Sequence, residues 1–243
     1  MSTLRQAGIL CGIVTVLVAA AGGAGAQSKY DPGEIHGLKL GLNAAAMTLN
    51  DWGELTCASG GGKPQQALEA WSDFKKCSPE ASGLREVVAR FDDEDEYIGK
   101  AIDNPLYAGQ HTGTRVAGHP VILSVLFDDT GMLRGIRFVT DPHGTPLERR
   151  MAHLLGLVVI NHYGPDGWTC TDLPAAAGET PVGGVFIKQH CVKVTSERAM
   201  TLEVHFLRGP GQDATDPDTH DYRPGQFESW TRFELLDPNY RKP

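Results

Sequence analysis

The chain has 243 residues, 41% of them hydrophobic and 21% charged, which is enough for one large core or two small ones. Its 30 acidic and 22 basic side chains leave a formal charge of −8. Nucleic acid and anionic lipid would repel that surplus, so neither is expected as a partner.

At the start, Arg5 forms a short positive region, residues 9–21 are apolar, and Ala24-Gly25-Ala26 supplies the small-x-small pattern that signal peptidase reads. Residues 1–26 therefore predict an export signal, with Gln27 as the mature N-terminus. The apolar part falls well short of the ~20 residues that cross a bilayer, and no transmembrane segment is expected after cleavage. Cys11 lies inside this run and is expected to leave with it. Export predicts a periplasmic or secreted protein whose remaining cysteines, Cys57, Cys77, Cys170 and Cys191, are oxidised.

Asn43 reads as the cap of a short helix over residues 44–51 that Gly53 ends. Trp71 and Phe74 predict a second short helix before Cys77. The acidic run Asp92-Asp93-Glu94-Asp95-Glu96 reads as a solvated loop, with a cation site as the alternative. Strands are expected at 84–91, 121–127 and 132–139, the last two joined by the turn Asp128-Asp129-Thr130-Gly131, where Gly131 can take the left-handed conformation.

Asp141-Pro142-His143-Gly144 marks a boundary between a first unit, 27–142, and a second, 143–243. The second opens on a capping box, Thr145-Pro146-Leu147-Glu148, and a helical stripe of Leu147, Met151, Leu154, Leu155 and Val158. Gly164-Pro165 stops that helix. Strands are expected at 185–194, 201–207 and 229–236. Val204 and Phe206 alternate with Glu203 and His205, as in a sheet with one face on a helix and the other in water.

The two cysteine pairs are spaced 20 and 21 residues apart in matching surroundings. Four cysteines allow three connectivities. The repeated spacing selects Cys57 to Cys77 and Cys170 to Cys191, one disulfide per repeat. Neither spacing is that of a structural zinc site. Trp52, Trp71, Tyr163 and Trp168 are expected to pack in the core around these bonds. The fold class is α+β, two tandem helix-on-antiparallel-sheet units with one disulfide each.

The stretch Gly37-Leu38-Lys39-Leu40-Gly41-Leu42-Asn43 before a helix, a helix-to-loop disulfide in each half and a following antiparallel meander resemble the β-lactamase inhibitory protein fold. Small outer-membrane assembly lipoproteins share that fold. The resemblance implies a protein-binding surface on a sheet in place of an active site, and it carries over no contact residue.

No His-Glu-x-x-His, Gly-x-Ser-x-Gly, phosphate loop or dinucleotide fingerprint occurs, and no catalytic residue is assigned. The connection 209–228, rich in Gly, Asp and Pro, is much longer than usual between neighbouring strands. Tyr222, Arg223, Phe227 and Trp230 in and beside it have the composition of a binding surface, with Trp230 as anchor; the alternative is that Trp230 packs on the second-repeat helix. Asp216 and Asp218, with Pro217 stiffening the backbone between them, are the better candidates for a calcium-like cation. The expected function is a non-enzymatic binding or assembly-support protein with a protein partner, acting through a sheet face or the 209–230 loop. The alternatives are a cation-binding protein and a hydrolase without a readable motif.

Overall fold

The computed structural model describes residues 35–58, 66–215, 218–220, 223 and 225–240. The expected export signal, Asp216 and Tyr222 lie outside them. Among the described residues, ten antiparallel strands form: β1 (Trp52–Cys57), β2 (Ala67–Leu68), β3 (Arg85–Phe91), β4 (Arg115–Val116), β5 (His119–Phe127), β6 (Leu133–Thr140), β7 (Thr169–Asp172), β8 (Ile187–Val194), β9 (Ala199–Leu207) and β10 (Glu228–Leu236). Nine of them hydrogen-bond in the order β2-β1-β3-β5-β6-β10-β9-β8-β7, and β4 pairs with β5 off that path. The helices are α1 (Glu94–Ala101), α2 (Pro105–His111), α3 (Pro146–Met151) and α4 (Leu155–His162), with 3₁₀ turns at Ala44–Ala46, Trp71–Lys76 and Ala152–Leu154. The fold is α+β, and no described helix is long and apolar enough to cross a membrane.

Strand alternation builds the core. One row of cross-strand partners runs Leu55, Ala89, Leu123, Phe138, Phe233, Leu202, Cys191, Cys170 from β1 to β7. Because side chains alternate with period two, this row and its parallels make one apolar face. Helical elements cover that face at both ends. Trp71 packs edge-on against Trp52 and Phe127, and Tyr163 stacks on Phe233 with ring centroids 5.2 Å apart. Thr231 donates its hydroxyl to the Ala152 carbonyl at 2.9 Å.

Both expected disulfides are present, Cys57–Cys77 and Cys170–Cys191. The six longer expected strands form within a few residues of their expected bounds, and the 128–131 turn closes with Gly131 at φ 84°. The capping box also forms: Thr145 Oγ1 accepts from the Glu148 amide at 3.3 Å, and the Glu148 carboxylate accepts from the Thr145 amide at 2.8 Å.

Three local expectations fail for identifiable reasons. The helix expected at 44–51 is only a 3₁₀ turn. Trp52, Leu55 and Cys57 then bury as part of β1, with a register shift between Trp52 and Leu55 that hides the alternation. The acidic run is a helix start, not a loop: Asp93 caps α1 by accepting from the Asp95 amide at 3.0 Å, and Glu94, Asp95 and Glu96 fill a first turn whose dipole favours negative charge. The helix stripe in 146–162 is rotated. Leu147 is 70% exposed, and the buried side is Ala152, Leu155, Gly156 and Val159. A 3₁₀ turn holds about three residues, so Ala152–Leu154 shifts the facing residues after it. Gly156 then sits against the sheet, where an added Cβ would lie 2.5 Å from Val204 Cγ2.

Candidate functional site

The helical elements at Trp71–Lys76 and residues 152–162 pack on the apolar face, while α1 reaches the sheet's opposite face at Arg90 of β3, which bonds Glu96 at 3.3 Å. That face carries Arg137 and Val139 of β6, Trp230, Arg232 and Glu234 of β10, Glu203 and His205 of β9, and Lys188 and His190 of β8. They are brought side by side by the pairs Arg137–Glu234, Val139–Arg232, Arg232–Glu203, Glu203–His190, Trp230–His205 and His205–Lys188. Two polar networks flank a middle where Arg232 is exposed and Val139, Trp230 and Glu203 are half-buried. In the first, Arg137 bonds Glu234 at 2.7 Å and Glu80 at 2.9 Å and lies 3.1 Å from Glu86. Burial opposes the Arg137 charge, but these three carboxylates outweigh it and hold its pKa above the ordinary value. In the second, Lys188 bonds both oxygens of Glu179 at 2.9 and 3.0 Å.

Trp230 lies beside this second network. Its indole stacks on the His205 imidazole with centroids 3.9 Å apart and planes 22° from parallel. Burial pushes the His205 pKa down, partly offset by the Glu228 carboxylate, whose Oε2 is 4.0 Å from Nδ1. His205 Nδ1 is buried with no hydrogen-bond partner. Arg232, two residues along the same face, is exposed.

The residues grouped from the sequence around the 209–228 connection do not form one patch. Phe227 immediately precedes β10 and has the opposite parity to Trp230. It turns to the helix side, edge-on to Phe206 at 5.9 Å, where Phe206 also stacks on His153 at 4.2 Å. Arg223 is exposed and ties its amide to the Ala214 carbonyl at 2.8 Å. Trp230 packs neither on the second-repeat helix nor with Phe227. Arg232, Glu203 and His205 join it, and the strand alternation of residues 201–207 and 229–236 held that information once the central pairing was known. Trp52 and Trp71 lie in the same core cluster as Cys57 and Cys77, and Tyr163 and Trp168 pack partly buried against that core. Desolvation pushes the Tyr163 phenol up to about 12.

His153 Nδ1 lies 3.1 Å from the Arg150 carbonyl and 3.3 Å from Ser229 Oγ. The carbonyl requires Nδ1 to carry the proton, so that nitrogen cannot take one from Ser229, and the pair is not an activated nucleophile. Asp218 is exposed, and among the described residues the group of three metal-ligating side chains is a different one: Asp93, Asp95 and His111. His111 Nδ1 is 2.8 Å from Asp93 and 3.9 Å from Asp95, across the α1–α2 hairpin.

No protein-family model, curated protein or solved structure matches the chain.

Proposed function

We propose that this chain is an exported, non-enzymatic binding protein whose protein partner docks on the open sheet face around Trp230 and Arg232. The observation that carries this reading is the distribution of cover. The helical elements at Trp71–Lys76 and residues 152–162 pack on one side of the sheet, while across β8, β9 and β10 the other side presents a stacked, half-buried Trp230–His205 pair beside an exposed Arg232. Trp and Arg dominate binding energy at interfaces because they bury much area and retain a polar handle. The rigid nine-strand sheet holds them in place without ordering on contact, which lowers the cost of association.

Export accounts for the two disulfides and for the apolar segment at the start of the chain. A duplicated unit, as in the β-lactamase inhibitory protein fold, accounts for the strand order. Inside the two-residue edge strand β2, the runs β1-β3-β5-β6 and, from the other edge, β7-β8-β9-β10 each follow chain order and meet at the β6–β10 pair, and the first strand of each run carries a disulfide cysteine. In this reading the binding face spans both copies.

The test is chemical cross-linking in whole cells, followed by mass spectrometry of the captured adduct, for the native chain and for Trp230→Ala with Arg232→Ala. A discrete adduct lost in the double variant, with the melting temperature retained, supports the docking face. An adduct of unchanged yield overturns it.

A cation-binding reading has one observation in its favour, the mixed nitrogen and oxygen donors of Asp93, Asp95 and His111. Such a donor set suits zinc or manganese better than calcium. A zinc-dependent rise in melting temperature that disappears in His111→Ala is the result it requires.

A further inference from the structure

The two disulfides sit in opposite environments. Cys57 and Cys77 are 5% and 1% exposed, both inside the core. Cys191 is fully buried, but Cys170 is exposed, as is every residue of β7. Among the described residues β7 is an edge strand of four residues, paired only with β8, and Cys170 stands directly opposite Cys191 in that pair. A thiolate must approach a disulfide along the sulfur–sulfur axis at an accessible sulfur, so burial protects the first bond and leaves the second open at Cys170.

We infer that Cys170–Cys191 is a thiol–disulfide exchange site for a dithiol, either a small molecule or the cysteine pair of an exported oxidoreductase, while Cys57–Cys77 is a structural bond. In the forward step the dithiol's thiolate forms a bond to Cys170 Sγ. The Cys170–Cys191 bond breaks and Cys191 leaves as a thiolate that takes a proton from water. The second thiol of the dithiol, as its thiolate, then attacks the mixed disulfide and releases Cys170. The protein disulfide gains two electrons, and the dithiol is oxidised to its own disulfide. The reverse sequence forms the bond. Reduction removes the covalent tie between β7 and β8 and leaves β7 held by its short ladder alone, so the edge of the eight-residue β8 becomes available.

The experiment treats the oxidised, full chain with dithiothreitol under native conditions and quenches samples in time with an alkylating agent for peptide mapping, while near-ultraviolet circular dichroism follows the fold. Cys170 and Cys191 are expected to label at least about tenfold faster than Cys57 and Cys77, before the dichroism changes. In parallel, a glutathione pulse quenched in acid should place its mixed disulfide on Cys170. Equal rates for the two bonds, faster loss of Cys57–Cys77, labelling only after the fold is lost, or an adduct on Cys191 would each overturn the assignment.

Discussion

Trp230 and Phe233 are three residues apart on β10, and alternation gives them opposite surroundings. Phe233 is fully buried between Phe138 and Tyr163, so Phe233→Ala should cost about 3–5 kcal/mol in urea denaturation. Trp230 is half-buried and makes its ring contact with His205 on the other face, and Trp230→Ala should cost less, about 1–2.5 kcal/mol. Comparable losses in the two variants would mean that Trp230 carries core energy and is not free to meet a partner. The sequence pointed to Trp230 through its company of aromatics and arginines. It also grouped Phe227 there, because loop composition has no period and says nothing about faces. Once β10 begins at Glu228, parity alone separates the two rings.

Between residues 146 and 162 the capping box and the stop at Gly164 were readable because each is a short pattern with one chemical purpose. The buried side was not, since a 3₁₀ turn changes the period partway along and Gly156 leaves no apolar mark on a helical stripe. Gly156→Ala should destabilise the chain by about 1–3 kcal/mol despite the better helix propensity of alanine, because the new methyl meets Val204. Stability equal to or above the native value would show that the helix can lift off the sheet without loss. Thr145→Ala, which removes one half of the capping box, should cost about 1 kcal/mol. The acidic run at 92–96 shows the opposite failure. Its charge suggested solvent or a cation, whereas the first use of those carboxylates is to satisfy and complement the start of α1.

At the scale of the whole molecule, individual strands were legible from alternation and turn chemistry, but the β6–β10 pair that joins the halves was not. Its partners, such as Phe138 and Phe233, are far apart in sequence, and no local pattern encodes their meeting. The assembled molecule also has a predictable acid response. Burial holds the pKa of His36, His119, His153, His162 and His205 below the ordinary value, so the folded chain binds fewer protons at these sites than the unfolded one. Their contribution is fully present above the unfolded value of about 6.5 and is lost as pH falls through it toward the folded values. Glu80, Asp128 and Glu148, with pKa values lowered against the cost of burial by Arg137, by Thr130 and Arg134, and by Arg115, add a further loss as pH falls through about 4. The melting temperature should therefore decrease from pH 7.5 to pH 5.5 and decrease further toward pH 3.5. A melting temperature that rises on acidification to pH 5.5 would contradict the lowered pKa values of these partly desolvated histidines.

The open sheet face is tested most directly by placing a photo-activated cross-linking residue at single positions in the cell: Arg232 and Glu203 on that face, and Leu157 and Leu147 on the exposed side of the helices. Adducts of one discrete mass at Arg232 and Glu203, absent at Leu157 and Leu147, are the predicted result. Adducts at the helix positions with none on the sheet would contradict it.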